Sequence, residues 1–319
     1  MKRISFLIAS LLCAEIACAQ SYPNRAVKVI VPWTPGQATD IAARVVAQKL
    51  QEALGQAFVI DNKPGAGGAI GTDAVAKSPP DGYTLLAASS GPLSIMPNLQ
   101  KTPYEPLNDL APISLVAMTP FALVTHPAFP ASNAKEFIAL VKANPGKYTF
   151  SSSGTGATAH LFTELFNSMA QIQARHVPYK GSAPAITDII NGQITYTIET
   201  VAATVGHIKA GRLKTFGVST ARRTAAMPDV PPLAETAELP GYDAAAWIGY
   251  AAPAGTPRDV LVRLSAEIQK ALQSGDLKDR MVNIGLDPVS STPDEMAAFM
   301  RREQERYAAI IKAANIRLE

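Results

Sequence analysis

The chain has 319 residues, with 29 lysines and arginines against 26 aspartates and glutamates, and a formal net charge of +3. Its basic residues are dispersed and form no stripe with interleaved aromatic side chains, so the sequence makes no case for a nucleic-acid partner. About 300 residues follow the N-terminal segment described next. That length exceeds what one hydrophobic core usually serves, and we therefore expect two lobes.

The first residues have the layout of a cleavable secretory signal peptide. Lys2 and Arg3 precede an apolar run over residues 4–12, and Ala17 and Ala19 offer small residues for cleavage. The apolar run is well short of the ~20 residues that span a bilayer, which argues against a membrane anchor. We interpret residues 1–19 as a signal peptide and expect the mature protein in the periplasm, with a lipoprotein as the alternative.

Both cysteines of the chain, Cys13 and Cys18, lie within this N-terminal segment. The mature chain is therefore expected to have no disulfide, no thiolate metal site and no cysteine nucleophile. Its stability must come from packed cores, for which the apolar content of 47% is sufficient.

The next part of the chain alternates short apolar runs with stretches of helical periodicity. Strands are predicted over residues 27–31, 58–60 and 83–88, and helices over residues 41–54 and 69–76. This alternation favours a largely parallel sheet covered on both faces. We assign residues 20–122 to a first lobe.

A second series of the same kind occupies the middle of the chain. Predicted strands over residues 113–116 and 121–125 and a helix over residues 134–144 precede it. The series itself has strands over residues 148–152, 174–177, 193–198 and 215–219 and helices over residues 158–169, 182–191 and 202–210. These elements suffice for a second α/β lobe, which we assign to residues 123–246.

The last part of the chain, residues 247–319, is expected to return to the first lobe. An apolar run covers residues 244–252, and a long amphipathic helix is predicted over residues 258–274. Thr292 and Glu295 have the spacing of a capping box, which starts a last helix that runs to about residue 314. Two chain crossings between lobes make a hinge, and hinged lobes enclose ligands.

The loop of residues 32–40, here called the first loop, joins a predicted strand to a predicted helix. Open α/β sheets bind ligands at the carboxyl ends of their strands, and free N–H groups at the start of a helix hold anions. The candidate binding residues of this loop are Trp33, Thr34, Gly36, Gln37, Thr39 and Asp40. The alternative is a plain turn in which Thr39 or Asp40 caps the helix and Trp33 is a packed aromatic residue.

The loop of residues 151–158, here called the second loop, repeats this logic in the second lobe. Its candidate binding residues are Ser152, Ser153, Gly154, Thr155, Gly156 and Thr158, whose hydroxyl and N–H groups can turn toward one carboxylate. The Gly-x-Gly pattern is a weak nucleotide signal, because the third glycine and the lysine of a phosphate-binding loop are absent. Ser89 and Ser90 would add hydroxyl contacts after the third strand, although a plain turn explains them as well.

The known catalytic patterns are missing from the sequence. There is no Gly-x-Ser-x-Gly elbow and no His-Glu-x-x-His motif. The four histidines lack metal-ligand spacing, and we interpret His160 and His207 as structural or solvated. Asp40 and Glu199 are candidates for an acid–base pair, but N-capping explains Asp40 more simply. We predict no catalytic residue, no metal and no cofactor.

Seven short segments, taken in chain order, resemble the Bug family of periplasmic solute receptors, which serve tripartite tricarboxylate transporters. They are Tyr22-Pro23 with Val29-Ile30-Val31-Pro32, Asp40-Ile41-Ala42-Ala43-Arg44, Asn62-Lys63-Pro64-Gly65-Ala66-Gly67-Gly68, Pro80-Asp81-Gly82-Tyr83-Thr84-Leu85-Leu86, Val177-Pro178-Tyr179-Lys180-Gly181, His207-Ile208-Lys209-Ala210-Gly211 and Ala252-Pro253-Ala254-Gly255-Thr256-Pro257. None is diagnostic alone, but their order across the mature chain is specific. The resemblance implies an α/β fold, that of a type II-like periplasmic binding protein with a ligand cleft between two lobes.

In that family, loops from both lobes hold one ligand carboxylate through backbone groups, hydroxyls and water. The resemblance therefore assigns ligand contact to the first loop, to the second loop, and to Ser89 and Ser90. Two positions depart from the family pattern: Gln37 stands where a second glycine is usual, and Glu199 with Thr200 stands where Asp-Asn is frequent. We expect Glu199 and Thr200 at the far end of the pocket, where Glu199 would repel a second ligand carboxylate.

The sequence thus predicts a monomeric receptor that closes over a small ligand and delivers it to the subunits of a membrane transporter. The candidate ligands are monocarboxylates, dicarboxylates, aromatic acids, amino acids and neutral amides. Two rival classes stay open, a secreted hydrolase of a small ester or amide and a ligand sensor that docks on a signalling receptor. Turnover of a bound ligand would favour the first, and a neighbouring histidine-kinase gene without transporter genes would favour the second.

Overall fold

The computed structural model of the chain describes residues 22–313. The predicted signal peptide with its two cysteines lies outside the described residues, as does the predicted end of the last helix at residue 314. Within residues 22–313, no helix combines the length and the apolar character that a membrane crossing requires.

The first of two sheets has six strands in the described part of the chain. They are β1 (Val27–Val31), β2 (Phe58–Asn62), β3 (Thr84–Ser89), β4 (Leu110–Thr119), β10 (Ala246–Pro253) and β11 (Asp287–Pro288), in the spatial order β11-β4-β10-β3-β1-β2. β1 pairs in parallel with β2 and β3, but β10 is antiparallel to both β3 and β4. The predicted parallel arrangement is confirmed for β1, β2 and β3, the strands on which the prediction rests, and β10 makes the sheet as a whole mixed. The chain leaves the first sheet at the end of β4 and returns at the same end, so β10 must run against its neighbours.

The second sheet has five strands among residues 22–313. They are β5 (Phe121–Thr125), β6 (Thr149–Ser152), β7 (Arg175–Pro178), β8 (Tyr196–Thr200) and β9 (Lys214–Val218), in the spatial order β7-β6-β8-β5-β9. β6 is parallel to β7 and β8, whereas β5 is antiparallel to β8 and β9. Two separate sheets, each with helices on its faces, confirm the two-lobed α/β class.

The helices of eight or more residues agree with the sequence pattern, with two exceptions, whereas the two four-residue helices were not predicted. They are α1 (Ala38–Leu54), α2 (Ala69–Ala76), α3 (Met96–Leu99), α4 (Pro106–Asp109), α5 (Ala134–Lys142), α6 (Thr158–Ala170), α7 (Ser182–Ile190), α8 (Val201–Lys209), α9 (Arg258–Gln273), α10 (Gly275–Asn283) and α11 (Pro293–Ala313). α1 begins at Ala38 rather than at Ile41, because the polar residues of its first turn show no apolar periodicity. The highly charged α10 was not predicted for the same reason.

The chain passes between the two sheets at two places in the described residues. Pro120 alone separates the end of β4 from the start of β5, and residues 219–245 lead back from β9 to β10. Two such crossings between lobes can act as a hinge. The lobe boundaries after residues 122 and 246 stay predictions.

The last helix begins with the predicted capping box. The backbone N–H of Thr292 donates to Glu295 Oε2 at 2.8 Å, and the backbone N–H of Glu295 reaches Thr292 Oγ1 at 3.3 Å. These reciprocal bonds satisfy two donors at the start of α11 and confirm the predicted start of the helix.

The last helix packs into the cores of both lobes. Met296 and Met300, near its start, belong to a core cluster of the first sheet that includes Trp247. Tyr307 and Ile311, near its end, belong to the core cluster of the second sheet. The assignment of residues 247–319 to the first lobe did not anticipate this second contact, which ties the lobes together away from the crossings.

Candidate ligand-binding cleft

Two adjoining cavities lie between the sheets. The first, here called the inner cavity, has a volume of about 410 Å³, including space that opens to solvent, and is lined by the ends of β3, β4 and β8 and the start of β10. The second, here called the outer cavity, has a volume of about 1060 Å³, including space that opens to solvent. Trp33, Gln37 and Ser153 line both, so the two cavities are continuous.

Most of the residues predicted to contact ligand line one of these cavities. Those at the inner cavity are Trp33, Gln37, Thr39, Ser89, Ser90, Ser153, Thr158, Glu199 and Thr200. Thr34, Gly154 and Thr155 line the outer cavity. Gly36, Asp40, Ser152 and Gly156 line neither and instead shape the two loops. Ligand contact by the cavity-lining residues stays a prediction.

Asp40 holds the first loop in shape. Its carboxylate accepts hydrogen bonds from the Gly36 backbone N–H at 2.9 Å, from Arg44 Nε at 3.0 Å and from Asn62 Nδ2 at 2.9 Å. Asn62 Nδ2 also donates to the Trp33 carbonyl oxygen at 2.9 Å. The prediction that Thr39 or Asp40 is the N-cap is wrong, because Gln37 occupies that position and Asp40 reaches back across the first turn.

Replacing Asp40 with asparagine is expected to destabilise the fold in a pH-dependent way. Burial raises the pKa of the Asp40 carboxyl, but hydrogen bonds from Arg44, Gly36 and Asn62 outweigh this effect and hold that pKa below its usual value. A carboxyl group whose pKa is lowered in the folded state stabilises the fold at pH values above its unfolded pKa of about 3.9. This stabilisation is lost as the pH falls through the folded pKa. Urea unfolding should show Asp40→Asn to be about 1 to 3 kcal/mol less stable at pH 7, with a smaller difference at pH 3.

Asp81 provides the control for this prediction, because it pairs with Arg25 at the surface. Asp81→Asn should cost less than about 1 kcal/mol at either pH. A difference between wild type and Asp40→Asn that is the same at pH 7 and pH 3 would contradict a role for the ionised Asp40 carboxylate.

Two stacked histidines hold the second loop in place through hydrogen bonds. The His160 and His176 rings are 4.0 Å apart and inclined by 13°. The Gly156 backbone N–H donates to His160 Nδ1 at 3.2 Å, and Ser152 Oγ lies 2.7 Å from His176 Nε2. Burial lowers the pKa of His160 to about 4 and that of His176 to about 3, so both rings are neutral at pH 7. The structural interpretation of His160 is supported, and His176 shares its role.

The two lobes contact each other across the cavities. Gln37 Nε2 in the first loop donates to Ser182 Oγ, at the start of α7, at 3.0 Å. Ser90 Oγ lies 3.3 Å from Thr158 Oγ1 in the second lobe. Trp33 is fixed within the first lobe by a 2.9 Å hydrogen bond from its Nε1 to Ser89 Oγ. Polar groups from both lobes therefore converge on one enclosed space.

Four helices begin at the inner cavity. Its lining includes the first residues of α1, α6 and α7 and the N-cap residue of α8, namely Ala38, Thr39, Thr158, Ala159, Ser182 and Thr200. The first N–H groups of a helix have no partner within that helix, and they carry a partial positive charge. No lysine or arginine is among the residues lining the inner cavity, in the part of the chain that the structure describes. An anion bound there would be held by helix starts and hydroxyl groups.

Sequence reasoning missed several cavity residues. In the sequence, Ser182 has only the pattern of a helix start, and Ala246, Trp247 and Ile248 have only that of an apolar run, yet all four line the inner cavity. The glycine-rich turn at Ala66–Gly68 was noted for its resemblance alone, although it lines the outer cavity. The only sequence signal that points to these residues is their position at the ends of predicted elements.

The described residues offer no place for a metal ion. Among residues 22–313, no group of three or more histidine, cysteine, aspartate or glutamate side chains is arranged to hold one. Within the same residues, the acidic side chain at the inner cavity is that of Glu199.

Two α/β lobes that enclose a polar cavity and are joined by paired crossings define the class of two-lobed solute-binding proteins. Residues 42–316 match the family TctC, described as the tripartite tricarboxylate transporter family receptor. The chain belongs to this family.

Individual relatives agree with the family match. The chain is 39% identical to protein BugT of Bordetella pertussis, over 99% of this chain and 97% of that protein. A solved structure of an R. palustris protein with adipate superposes with a TM-score of 0.90 at 33% identity, covering 93% of this chain and 99% of that chain. MatC from Rhodopseudomonas palustris with bound malate gives a TM-score of 0.85 at 29% identity, covering 91% and 100%. The resemblance to the Bug family is confirmed, and this chain is a solute-binding receptor.

Proposed function

We propose that this receptor holds the carboxylate of a small ligand in the inner cavity, between the first loop and the second loop. The two lobes close over the ligand, and the closed form passes it to the subunits of a tripartite membrane transporter. The chain reaches the periplasm through the signal peptide of residues 1–19 and acts there as a monomer without converting its ligand.

The convergence of four helix starts on one cavity carries this proposal. Helix starts attract anions, and a cavity that lacks basic side chains needs them to offset the charge of a carboxylate. α1 belongs to the first lobe, whereas α6, α7 and α8 belong to the second, so a bound carboxylate would contact both lobes. A ligand that touches both lobes stabilises the closed form over the open form, which is the condition for ligand-driven closure.

The ligands of the relatives support the same assignment. The structures of the R. palustris protein with adipate and of MatC with malate each contain a small carboxylic acid. The family description names a transporter receptor, which supports transporter subunits as the partner.

A hydrolase would need an accessible nucleophile, and the best-placed serine does not provide one. Ser152 Oγ lies within hydrogen-bond distance of His176 Nε2, as a serine nucleophile lies beside its base. However, Ser152 is fully buried and lines neither cavity. Its hydroxyl bonds the second loop instead, accepting from the Gly154 backbone N–H at 3.2 Å. This arrangement supports a structural role for the pair.

A thermal-shift screen of the mature chain tests the proposal. The chain is first unfolded and refolded to remove carried-over ligand, and it is then mixed with carboxylates, amino acids and amides. A ligand at 100 times its dissociation constant adds about 2.7 kcal/mol of stability, enough for a clear rise in melting temperature. We expect a saturable rise with a carboxylate that is recovered unchanged. Consumption of that compound would favour the hydrolase, and no rise with any carboxylate would overturn the proposal.

Two matched substitutions on α6 then test the location. Thr158→Val removes a hydroxyl that lines the inner cavity and should weaken carboxylate binding on the order of 10-fold, because hydrogen bonds to charged groups are strong. Thr163→Val removes a buried hydroxyl that lines neither cavity and that donates to the Ala159 carbonyl oxygen and accepts from the Ile198 backbone N–H. Calorimetry should give Thr163→Val wild-type affinity despite lower stability. Equal affinities for wild type and Thr158→Val would place the ligand elsewhere.

A further inference from the structure

The inner cavity is lined by buried polar atoms that have no partner within the protein. Glu199 Oε2, Gln37 Oε1, Thr119 Oγ1 and Trp247 Nε1 make no hydrogen bond to any residue in the range 22–313. All four residues are more than nine-tenths buried, and all four line the inner cavity. Native proteins pair nearly all their buried polar atoms, because an unpaired one loses the hydrogen bonds it made to water. Four such atoms around one cavity indicate a ligand with complementary groups.

Among these residues, Glu199 has the greatest need for a hydrogen-bond partner, because it is a buried carboxyl group. It lies in β8, is 2% exposed, and accepts a hydrogen bond at Oε1 from the Thr200 backbone N–H at 2.8 Å. In the described part of the chain no lysine, arginine or histidine forms an ion pair with it, in contrast to Asp40, which pairs with Arg44. Burial raises the pKa of Glu199, and hydrogen bonding from Thr200 and from the nearby Ser182 hydroxyl offsets this only in part. A buried carboxyl group without a protein cation is stabilised when a ligand donates to its free oxygen.

The neighbouring groups restrict what that ligand can offer. Gln37 Nε2 donates to Ser182 Oγ, so this amide presents its oxygen as a second free acceptor. Trp247 Nε1 can only donate, and the Thr119 hydroxyl can do either. The two acceptors suit a ligand group that carries N–H bonds, which an ammonium or a primary amide has, whereas the Trp247 donor suits an oxygen of the same ligand, either the amide oxygen or the carboxylate. A second ionised carboxylate only accepts, and it would leave Glu199 Oε2 and Gln37 Oε1 unpaired.

We propose, building on the proposed function, that the ligand of this receptor is a carboxylate that also bears an N–H group, an ammonium or a primary amide, and that Glu199 selects it by accepting a hydrogen bond from that group. The carboxylate lies at the helix starts, and the N–H group lies against Glu199 and Gln37. This chain then differs in ligand class from relatives whose structures contain adipate or malate.

Matched probes of one length test this selection. Succinate, glutarate and adipate are each compared with their half-amides and with the amino acids in which CH2–NH3+ replaces one carboxylate. Calorimetry on the wild-type mature chain at pH 7 should show that, at the best length, an N–H probe binds at least ~10-fold more tightly than its dicarboxylate, a difference of about 1.4 kcal/mol. Tighter binding of the ammonium probe than of the half-amide identifies a cationic ligand, and the reverse order identifies an amide.

Glu199→Gln is the decisive variant, because it keeps the shape of the side chain. It replaces one carboxyl oxygen of Glu199 with an amide NH2 group, which donates hydrogen bonds and does not accept them. The substitution should weaken binding of the N–H probe and strengthen binding of the dicarboxylate, so that the ratio of the two affinities falls at least ~10-fold. A gain in dicarboxylate binding cannot arise from misfolding. Glu303→Gln is the control, since Glu303 is also a buried glutamate but pairs with Arg306 outside the cavity. This variant should prefer the N–H probe over the dicarboxylate to the same degree as wild type.

The outcomes separate this inference from the proposed function. If a wild-type protein binds the dicarboxylate as tightly as both N–H probes, or more tightly, Glu199 is acting as a neutral donor and the inference is overturned while the proposed function stands. An unchanged preference in Glu199→Gln overturns the role of Glu199 in the same way. If no probe of either class binds, the proposed function fails, and the inference fails with it.

Discussion

Replacing Gly181 with alanine is expected to weaken ligand binding on the order of 10- to 100-fold, because overpacking of a close contact typically costs about 1 to 3 kcal/mol. Gly181 lies in the second lobe with a φ of +145°, and an added Cβ would collide with Thr34 Oγ1 and lie 3.3 Å from Thr34 Cβ and Cγ2. Thr34 belongs to the first loop, so the collision exists only when the lobes are together. Alanine therefore penalises the closed form and lowers the fraction of protein that is competent to bind.

Backbone strain is the competing explanation, since a residue other than glycine at this φ is unfavourable wherever it lies. Gly192→Ala is the first control: it has a φ of +73° in the same lobe, with no atom within 4 Å of the added Cβ. It should keep wild-type affinity. Thr34→Gly is the second control, because it removes the atoms that collide but leaves the strain at residue 181. A double-mutant cycle by calorimetry should show the loss at Gly181→Ala largely cancelled in the Thr34→Gly background. An equal loss in both backgrounds would attribute the effect to strain and contradict a role in closure.

Replacing Tyr307 with alanine is expected to lower the free energy of unfolding by about 3 to 5 kcal/mol, the usual cost of removing a buried aromatic ring. Tyr307 is fully buried, its ring stacks on Phe162 with centroids 6.2 Å apart, and its hydroxyl donates to the Ala245 carbonyl oxygen at 3.1 Å. Because α11 begins in the first-lobe core and ends in the second, the resulting cavity loosens the contact that ties the lobes together away from the crossings.

Tyr307→Phe separates the ring from its hydroxyl. It keeps the stacking and removes one hydrogen bond, so it should cost only about 1 kcal/mol. Equilibrium urea unfolding of both variants measures the difference directly. Equal stabilities for Tyr307→Ala and wild type would mean that the end of α11 does not contribute to the second-lobe core.

The sequence was informative for several site residues that lie on a local strand–loop–helix pattern. Trp33, Gln37 and Thr158 could be predicted to face a ligand because the ends of parallel strands meet at one edge of a sheet, and all three line the inner cavity. Glu199 was placed at the far end of the pocket by family resemblance, and it also lines that cavity.

Contacts that depend on distant partners could not be predicted in the same way. Asp40 has the local pattern of a cap, but its carboxylate is directed by Asn62, which is contributed by another strand. Trp247 has the pattern of an ordinary core residue, and only the insertion of β10 between β3 and β4 brings it to the cavity. That pairing joins segments more than a hundred residues apart, and no periodicity within either segment indicates it.

The claim that helix starts of both lobes hold a ligand carboxylate is tested most directly by a crystal structure of the mature chain with the strongest ligand from the screen. The account predicts a carboxylate oxygen within hydrogen-bond distance of backbone N–H groups at the start of α1 and at the start of α6, with the ligand enclosed between the first loop and the second loop. A ligand bound with its carboxylate in contact with one lobe alone, or outside the inner cavity, would contradict the account.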